Sequence, residues 1–347
     1  MAENRGGWIL GLAAGAGALA VLSAVKRAGR SFDFENKLVV ITGGSRGLGL
    51  VMAREFASRG ARIAIVARDG DELSRAREDL EFFDAEVFTE VCDVTDQHAV
   101  NAMIANVGSA MGPIDVLVNN AGVIQVGPLS VQTQQDFEDA MRIHFWAPFY
   151  TMQAVLPEMR KRGHGRIVNI SSIGGKVAVP HLAPYCASKF ALAGLSSAMR
   201  AELAKDNIML TTVFPGLMRT GSHINALFKG QNEKEFALFS LMNGFPLTSV
   251  SAEYAAAQIA DAAARGDAEL IISVQAKIAA KMFALFPQLT SEILSVTARF
   301  LPEEGGIGRG YATGLESTSE ASPSWLTSLV DSASQRNNEL KPNESIH

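Results

Sequence analysis

Residues 37–49 read Lys37-Leu38-Val39-Val40-Ile41-Thr42-Gly43-Gly44-Ser45-Arg46-Gly47-Leu48-Gly49. A short apolar, β-branched run passes without a linker into a glycine-rich turn. The run Lys37–Ile41 predicts a buried strand, and the periodicity from Leu48 to Ser58 predicts a helix directly after the turn. In that position the glycines have a physical use. They allow a tight turn, let backbone N–H groups approach a pyrophosphate, and let helix pack on strand. The positive end of the helix then faces the phosphate charge. The spacing is G-x-x-x-G-x-G rather than the commoner G-x-G-x-x-G. Read alone it fits a plain strand-to-helix turn; its place between strand and helix favours a phosphate loop.

Working outward, six more strand candidates follow: Arg62–Ala67, Glu86–Cys92, Val116–Asn119, Arg166–Ile170, Met209–Phe214 and Glu269–Ile272. Helical patterns separate them at Leu48–Ser58, Gly70–Phe83, Gln97–Met111, Phe137–Arg162, Pro184–Ala204 and Ala252–Ala264. Near-continuous apolar strands joined by helices predict an α/β fold, a doubly wound parallel sheet of the Rossmann kind covered on both faces. Ligands of such sheets sit beyond the carboxyl ends of the strands. The expected organisation is a single catalytic domain over residues 31–312, with distinct segments at 1–30 and 313–347.

The flanks differ from this body. Gly6 to Val25 carries no charged side chain, and at about 1.5 Å per helical residue it spans roughly 30 Å, the thickness of a bilayer core. It is read as an N-terminal membrane helix, with a cleaved signal peptide as the alternative. Lys26, Arg27 and Arg30 follow it, which predicts a single-pass protein with its catalytic domain facing the cytoplasm. From Thr313 the chain is rich in Ser, Glu and Asn, and 313–347 is expected to be a disordered tail in which Trp325–Val330 is a candidate for local docking. A net charge of −5 argues against nucleic acid as a partner. Two cysteines far apart give neither a disulfide framework nor a metal-ligand spacing, and no metal site is expected.

The type of nucleotide is argued from charge. An NAD site wants an acid at the end of the second strand, to accept from the adenosine ribose. Here Ala67 stands in that place and Arg68 follows, while Arg46 lies in the glycine turn. Two guanidinium groups suit a 2′-phosphate, which predicts NADP(H), although Asp69 works against that preference. Catalysis is read from Ser172, at the end of the fifth strand, and from Tyr185-Cys186-Ala187-Ser188-Lys189. The i, i+4 spacing puts Tyr185 and Lys189 on one helix face. A phenol with a pKa near ~10 is a poor base at neutral pH, and an ammonium one turn away is expected to lower it. Ser172 is placed to donate to an oxygen where negative charge develops.

Together these motifs resemble the short-chain dehydrogenase/reductase family over about Asn36 to Ile272. The matching residues are Thr42 to Gly49, Asp93-Val94, Asn119-Asn120-Ala121-Gly122, Ser172, Tyr185-x-x-x-Lys189 and Pro215-Gly216-Leu217-Met218-Arg219-Thr220. The resemblance implies hydride transfer between a nicotinamide cofactor and a substrate carbon, interconverting a carbonyl and an alcohol. Tyr185 would be general acid/base, Lys189 would lower its pKa and hold the nicotinamide ribose, and Ser172 would orient the substrate oxygen. Thr42, Gly43, Ser45, Arg46, Gly47, Leu48 and Gly49 would cradle the phosphates, with Arg68 beside them. Asp93 and Val94 would contact the adenine, Asn120, Ala121 and Gly122 the adenosine ribose, and Pro215, Gly216 and Thr220 the nicotinamide end. Within the family, Gly175–Gly194 resembles membrane-bound steroid and retinoid dehydrogenases of the 11β-hydroxysteroid type. That stretch covers the active-site helix and says little about substrate.

One departure from the pattern is His144, in Ile143-His144-Phe145-Trp146-Ala147, where the family places an Asn that supports a water-linked proton relay. Two readings stand: His144 sustains a modified relay, or it is a satisfied buried histidine and the relay runs through backbone. His181 is expected to line the substrate cleft. Thr220 to Ser249, with Leu227, Phe228, Phe236, Phe239, Leu241, Met242 and Phe245, reads either as an apolar lid over a lipophilic substrate or as ordinary helix core. Ala276–Leu301 is a surface membrane contact, a dimer interface or local packing. A homodimer or homotetramer is expected. The rival to catalysis is a protein that binds NADP(H) as sensor or scaffold without turnover.

Overall fold

The computed structural model describes residues 31–319, 328–341 and 344. All seven predicted strands are present: β1 (Leu38–Thr42), β2 (Arg62–Ala67), β3 (Val87–Val91), β4 (Val116–Asn119), β5 (Gly165–Ile170), β6 (Ile208–Pro215) and β7 (Glu269–Ile272). They form one parallel sheet in the order β7-β6-β5-β4-β1-β2-β3. The chain starts in mid-sheet, runs out to β3 and returns on the other side of β1. The reversal sets the carboxyl ends of β1 and β4 side by side, with Thr42 opposite Asn119. That is the switch point where a doubly wound sheet opens a crevice for ligand.

The core explains why the strands read as unbroken apolar runs. Successive strand side chains point to opposite faces, and both faces are covered. Val39 and Ile41 pack with Phe56 and Ile259 on one side. Leu38 and Val40 pack with Met103, Val107, Met152 and Val155 on the other. The body's helices are α1 (Gly47–Ser58), α2 (Gly70–Glu81), α3 (Gln97–Met111), α4 (Gln134–Met141), α5 (Ala147–Arg162), α6 (Ala183–Leu203), α7 (Asn232–Gly244) and α8 (Ala252–Arg265), and the side chains just named come from α1, α3, α5 and α8. Each large aliphatic side chain so buried contributes about 1.5–3 kcal/mol relative to exposure.

One predicted helix is two. The pattern Phe137–Arg162 begins earlier, at a capping box in which Thr133 and Asp136 satisfy each other's backbone N–H groups. It then slips into a π turn over Arg142–Trp146, where the N–H of Ala147 reaches the carbonyl of Arg142 five residues back. Pro148 gives the reason: it has no N–H to return to the carbonyl of His144, so the regular ladder cannot continue there.

The expectation of a disordered tail from Thr313 is corrected for the described residues. Ala312–Thr313 pairs antiparallel with Leu227–Phe228. After α9 (Val274–Leu285) and α10 (Pro287–Ala298), a further helix, α11 (Ser328–Arg336), buries Val330, Ala333 and Ser334. Composition missed it because the helix is short and mostly polar, held by packing against the body rather than by its own propensity. The expected membrane helix at 6–25 lies outside the described residues. Among the described residues no helix is long and apolar enough to cross a membrane. The stretch Ala276–Leu301 forms α9 and α10; α10 has no fully buried side chain, and Leu285, Phe286, Ile293 and Phe300 are exposed.

Candidate functional site

At the switch point, backbone geometry closes the glycine turn onto β4. Thr42 Oγ1 accepts from the N–H groups of Asn120 (3.1 Å) and Ala121 (3.2 Å). Asn120 Nδ2 donates to the carbonyls of Thr42 (3.2 Å) and Gly43 (3.0 Å). A side chain at Gly43, whose φ is +63°, would stand 2.9 Å from Ala121 Cα; one at Gly49 would stand 1.9 Å from the carbonyl oxygen of Gly43. Only glycine lets the turn draw this tight.

The helix that opens from this turn differs from its neighbours. Asp69 caps α2 and Asp96 caps α3, each accepting first-turn N–H groups. On α1 the corresponding residue is Arg46, no side chain caps the first turn, and no acid lies in that turn. A positive helix end without a side-chain cap, beside a glycine cradle, fits a phosphate group, so the residues present suit a bound dinucleotide. On the adenosine side Arg68 is exposed at the end of β2; against burial, hydrogen bonds from Thr95 and then the charges of Arg68 and Arg142 hold the Asp93 carboxyl low. Sequence reasoning missed Glu72. Its carboxylate accepts from Ser45 Oγ (2.9 Å) and from Arg46 Nη1 (3.2 Å), so two expected phosphate ligands are tied to it.

Ser172, Tyr185 and Lys189 converge at the carboxyl end of β5. A side chain at Gly174 would lie 3.3 Å from Tyr185 Cε1 and 3.4 Å from Ser172 Oγ, which shows how closely the two groups share this corner. Lys189 is buried, with Nζ 5.6 Å from the Tyr185 ring centre, and donates to the carbonyl of Ile170 (2.9 Å). Ser171 Oγ donates to the Lys189 carbonyl (3.0 Å), fastening α6 to the strand end. Loss of water around Tyr185 pushes its phenol up to about 12, partly offset by a hydrogen bond with Ser172. Burial pushes the Lys189 ammonium down to about 7. The sequence predicts a phenol lowered by Lys189; burial acts on both groups in the sense opposite to their ionisation.

His144 is placed beside this pair, its ring edge-on to Tyr185 at 5.2 Å between centres. Its Nε2 accepts from the N–H of Val123 (3.2 Å), and Nδ1 lies 2.9 Å from Ser188 Oγ. Ser188 Oγ donates to the Tyr185 carbonyl (2.8 Å), so its single proton is committed and Nδ1 is the donor of the pair. Burial, and then the Lys189 charge, lowers the pKa of His144 well below the ordinary histidine value. Of the two readings offered by sequence, this geometry favours the satisfied buried histidine.

The remaining expected residues spread around the same edge. Thr220 Oγ1 lies 2.7 Å from Ser222 Oγ, beyond Pro215 and Gly216 at the end of β6. His181, held at φ +65°, pairs through Nδ1 with the buried carboxylate of Glu235 on α7 at 2.6 Å. The apolar stretch after Thr220 divides. Phe228 and Phe236 are buried with Val126 and Ala226, and Leu182 and Phe239 pack against them, whereas Leu241, Met242 and Phe245 are exposed. His223 stacks on Phe236 and lies 3.3 Å from Asp331 of α11.

Comparison with known proteins agrees with this architecture. The family described as short chain dehydrogenase matches residues 37–228. The chain is 37% identical over 215 residues to a dehydrogenase/reductase SDR family protein 7-like protein of Anopheles gambiae, covering 60% of this chain and 68% of that protein. It is 36% identical over 189 residues to gluconate 5-dehydrogenase of Gluconobacter oxydans, covering 54% and 74%. Among solved structures it is similar to L-sorbose reductase from Gluconobacter frateurii complexed with NADPH and L-sorbose. There the TM-score is 0.63 at 27% identity, over 70% of this chain and 97% of the other.

Proposed function

Because the chain belongs to the short chain dehydrogenase family, we propose that it is an NADP(H)-dependent oxidoreductase acting on a carbonyl/alcohol pair, with Tyr185 as its general acid/base. The observation that carries this reading is the meeting of Ser172, Tyr185 and Lys189 at one strand end, next to a glycine cradle and a helix start that no side chain caps. The phosphorylated nucleotide is favoured by Arg46 and the exposed Arg68, with Ala67 where an acid would select NAD. The solved relative complexed with NADPH supports the same choice.

When bound, NADPH supplies the hydride. The chain's part is positional and acid–base. Ser172 Oγ orients the substrate oxygen and stabilises charge as it develops there. Tyr185, protonated with its pKa pushed up to about 12, gives its proton to that oxygen, an alkoxide far more basic than a phenolate. Lys189, with Nζ 5.6 Å from the Tyr185 ring centre, favours the phenolate when charged and would hold the nicotinamide ribose. The exposed Leu241, Met242 and Phe245 at the C-terminal end of α7 suit a lipophilic substrate. Residues 6–25 are assigned as the membrane anchor on their apolar length alone.

The test is NADPH oxidation by the purified protein over a panel of ketones and aldehydes, with Tyr185→Phe in parallel. The variant is expected to lose about 10²–10⁴-fold in rate while still binding NADPH. Consumption that persists unchanged in Tyr185→Phe removes that residue from the mechanism. Binding without turnover on every member overturns the enzymatic reading.

A further inference from the structure

The matched family region ends at residue 228, yet the phosphate loop is completed by residues more than a hundred positions further on. The carbonyl of Asn337 accepts the N–H of Gly47 (2.9 Å), the first backbone donor of α1. Asn338 Nδ2 donates to the carbonyls of Ser45 (2.8 Å) and Glu72 (3.0 Å), and Arg75 Nε donates to Asn338 Oδ1 (2.7 Å). Asn337 Nδ2 reaches the Thr220 carbonyl (3.0 Å), and Arg54 Nη1 donates to Asn337 Oδ1 (3.0 Å). Glu339 lies with a carboxylate oxygen 3.6 Å from Arg46 Nε and accepts from Asn225 Nδ2 (2.7 Å). Its other oxygen sits 2.3 Å from where a Gly47 side chain would begin. Asn337 and Glu339 are both buried.

These contacts have the chemistry of an anion site already filled from within. A glycine at the start of such a helix leaves its side-chain space open so that pyrophosphate can approach the backbone. At Gly47 that space holds the carboxylate of Glu339. A first-turn N–H meant for an outside acceptor is given to Asn337. Arg46, a candidate ligand for the 2′-phosphate, is shared between the carboxylates of Glu72 and Glu339. The segment also bridges the glycine turn and Thr220, the two loops expected on either side of the nicotinamide dinucleotide.

We infer that Asn337–Glu339 form an internal competitor of the cofactor, a C-terminal hook that docks on the phosphate loop and must leave before the dinucleotide seats. The inference rests on the reading of Thr42–Gly49 as the NADP(H) loop. The apparent affinity for cofactor is then reduced by the fraction of molecules whose hook is released. The hook's polarity fits this role: it is held by hydrogen bonds to the loop and shows none of the apolar burial that fixes β1 or α1, so it can exchange with a polar ligand.

The experiment uses the full chain. NADPH binding is measured by quenching of protein fluorescence for wild type and for Asn337→Ala/Asn338→Ala/Glu339→Ala, and hydrogen exchange of residues 334–340 is followed in wild type with and without NADPH. The triple variant is expected to bind NADPH roughly five- to tenfold more tightly, and NADPH is expected to speed exchange in the hook. Unchanged or weaker binding by a folded variant, or a hook that NADPH protects, overturns the competitor and makes the segment a wall of the site instead. Those results leave the dinucleotide reading standing. Failure of every form to bind either NADPH or NADH overturns that reading, and the hook proposal with it.

Discussion

His144 and Ser188 are joined through Nδ1 and Oγ at 2.9 Å, and the other ring nitrogen of His144 is held by the Val123 N–H. Both nitrogens are therefore occupied, and burial keeps the ring neutral near physiological pH. A neutral, doubly bonded imidazole positions its neighbours. It ties the π turn to α6 at the carbonyl of Tyr185, through Ser188. His144→Ala is expected to cost about 1–3 kcal/mol of folding stability, because it strands the part-buried Val123 N–H and the buried Ser188 hydroxyl. The pH profile of turnover between pH 6 and 8 is expected to keep its shape. Chemical denaturation and a pH–rate series check both statements. A profile that loses an inflection on removal of the ring restores the proton-carrier role.

How much of this was legible in the chain depends on the range of the interactions. The sheet was readable because Leu38–Ile41 and its fellows are buried on both faces, so each strand announces itself locally. Ser172, Tyr185 and Lys189 were readable because a strand end and a helical spacing fix them. The break at Pro148 was missed since apolar periodicity runs smoothly through the π turn. Glu72 and Asn337–Glu339 were missed for a different reason: they reach the phosphate loop from other elements, and nothing in a polar residue's own surroundings reveals a partner far along the chain. The long polar chain in the core was equally silent. Thr151 donates to Asn119 (2.6 Å), Asn119 to Asn169 (2.8 Å) and Asn169 to Ser196 (2.9 Å), linking β4, β5, α5 and α6.

That polar chain gives a stability prediction. Asn169 is fully buried and stands at its centre. Asn169→Leu removes one member and leaves Asn119 and Ser196 short of a partner, each a desolvated polar group without compensation. The expected loss is about 2–4 kcal/mol, read as a lower denaturation midpoint with an unchanged slope. A variant as stable as wild type would show the network to be dispensable.

Cofactor choice is tested at Arg68, which is exposed and not bound to Glu72 as Arg46 is. A charge-assisted contact to a 2′-phosphate is worth about 1.5–3 kcal/mol. Arg68→Ala is therefore expected to lower the ratio of kcat/KM for NADPH to that for NADH by roughly ten- to a hundredfold. The value for NADH itself should hardly move. Equal losses with both nucleotides would place Arg68 in folding or in substrate binding rather than at the phosphate.

A second buried pair lies at the foot of the apolar cluster, where Lys229 Nζ meets Asp136 Oδ2 at 2.6 Å. Asp136 also caps α4 through Thr133, and Lys229 follows Phe228 of the cluster. Lys229→Met leaves the carboxylate buried without its cation and is expected to destabilise the fold by about 3–5 kcal/mol. Adding Asp136→Asn should recover part of that loss, since the stranded charge is then gone. A double variant no better than the single one would mean that packing around Lys229, rather than charge, sets the cost.

The hook carries its own pH dependence. Burial raises the carboxyl of Glu339 from near 4.5 to about 7, while Arg46 and the Asn225 hydrogen bond pull it down and Glu72 pushes it up. The docked state therefore binds a proton that the released state, above its ordinary pKa, does not. Docking is strongest below about pH 4.5, weakens as pH rises toward about 7, and levels off above that. Arg46 just before α1 and Glu72 on α2 face the carboxyl, and Arg54 and Arg75 hold the neighbouring asparagines. Hydrogen exchange of residues 334–340, corrected for the intrinsic chemical rate, is expected to show more opening at pH 8 than at pH 5. In Glu339→Gln, which has nothing to ionise, the corrected opening should be the same at both. A wild-type hook that tightens as pH rises would mean that its ion pair with Arg46 outweighs the cost of burying the charge.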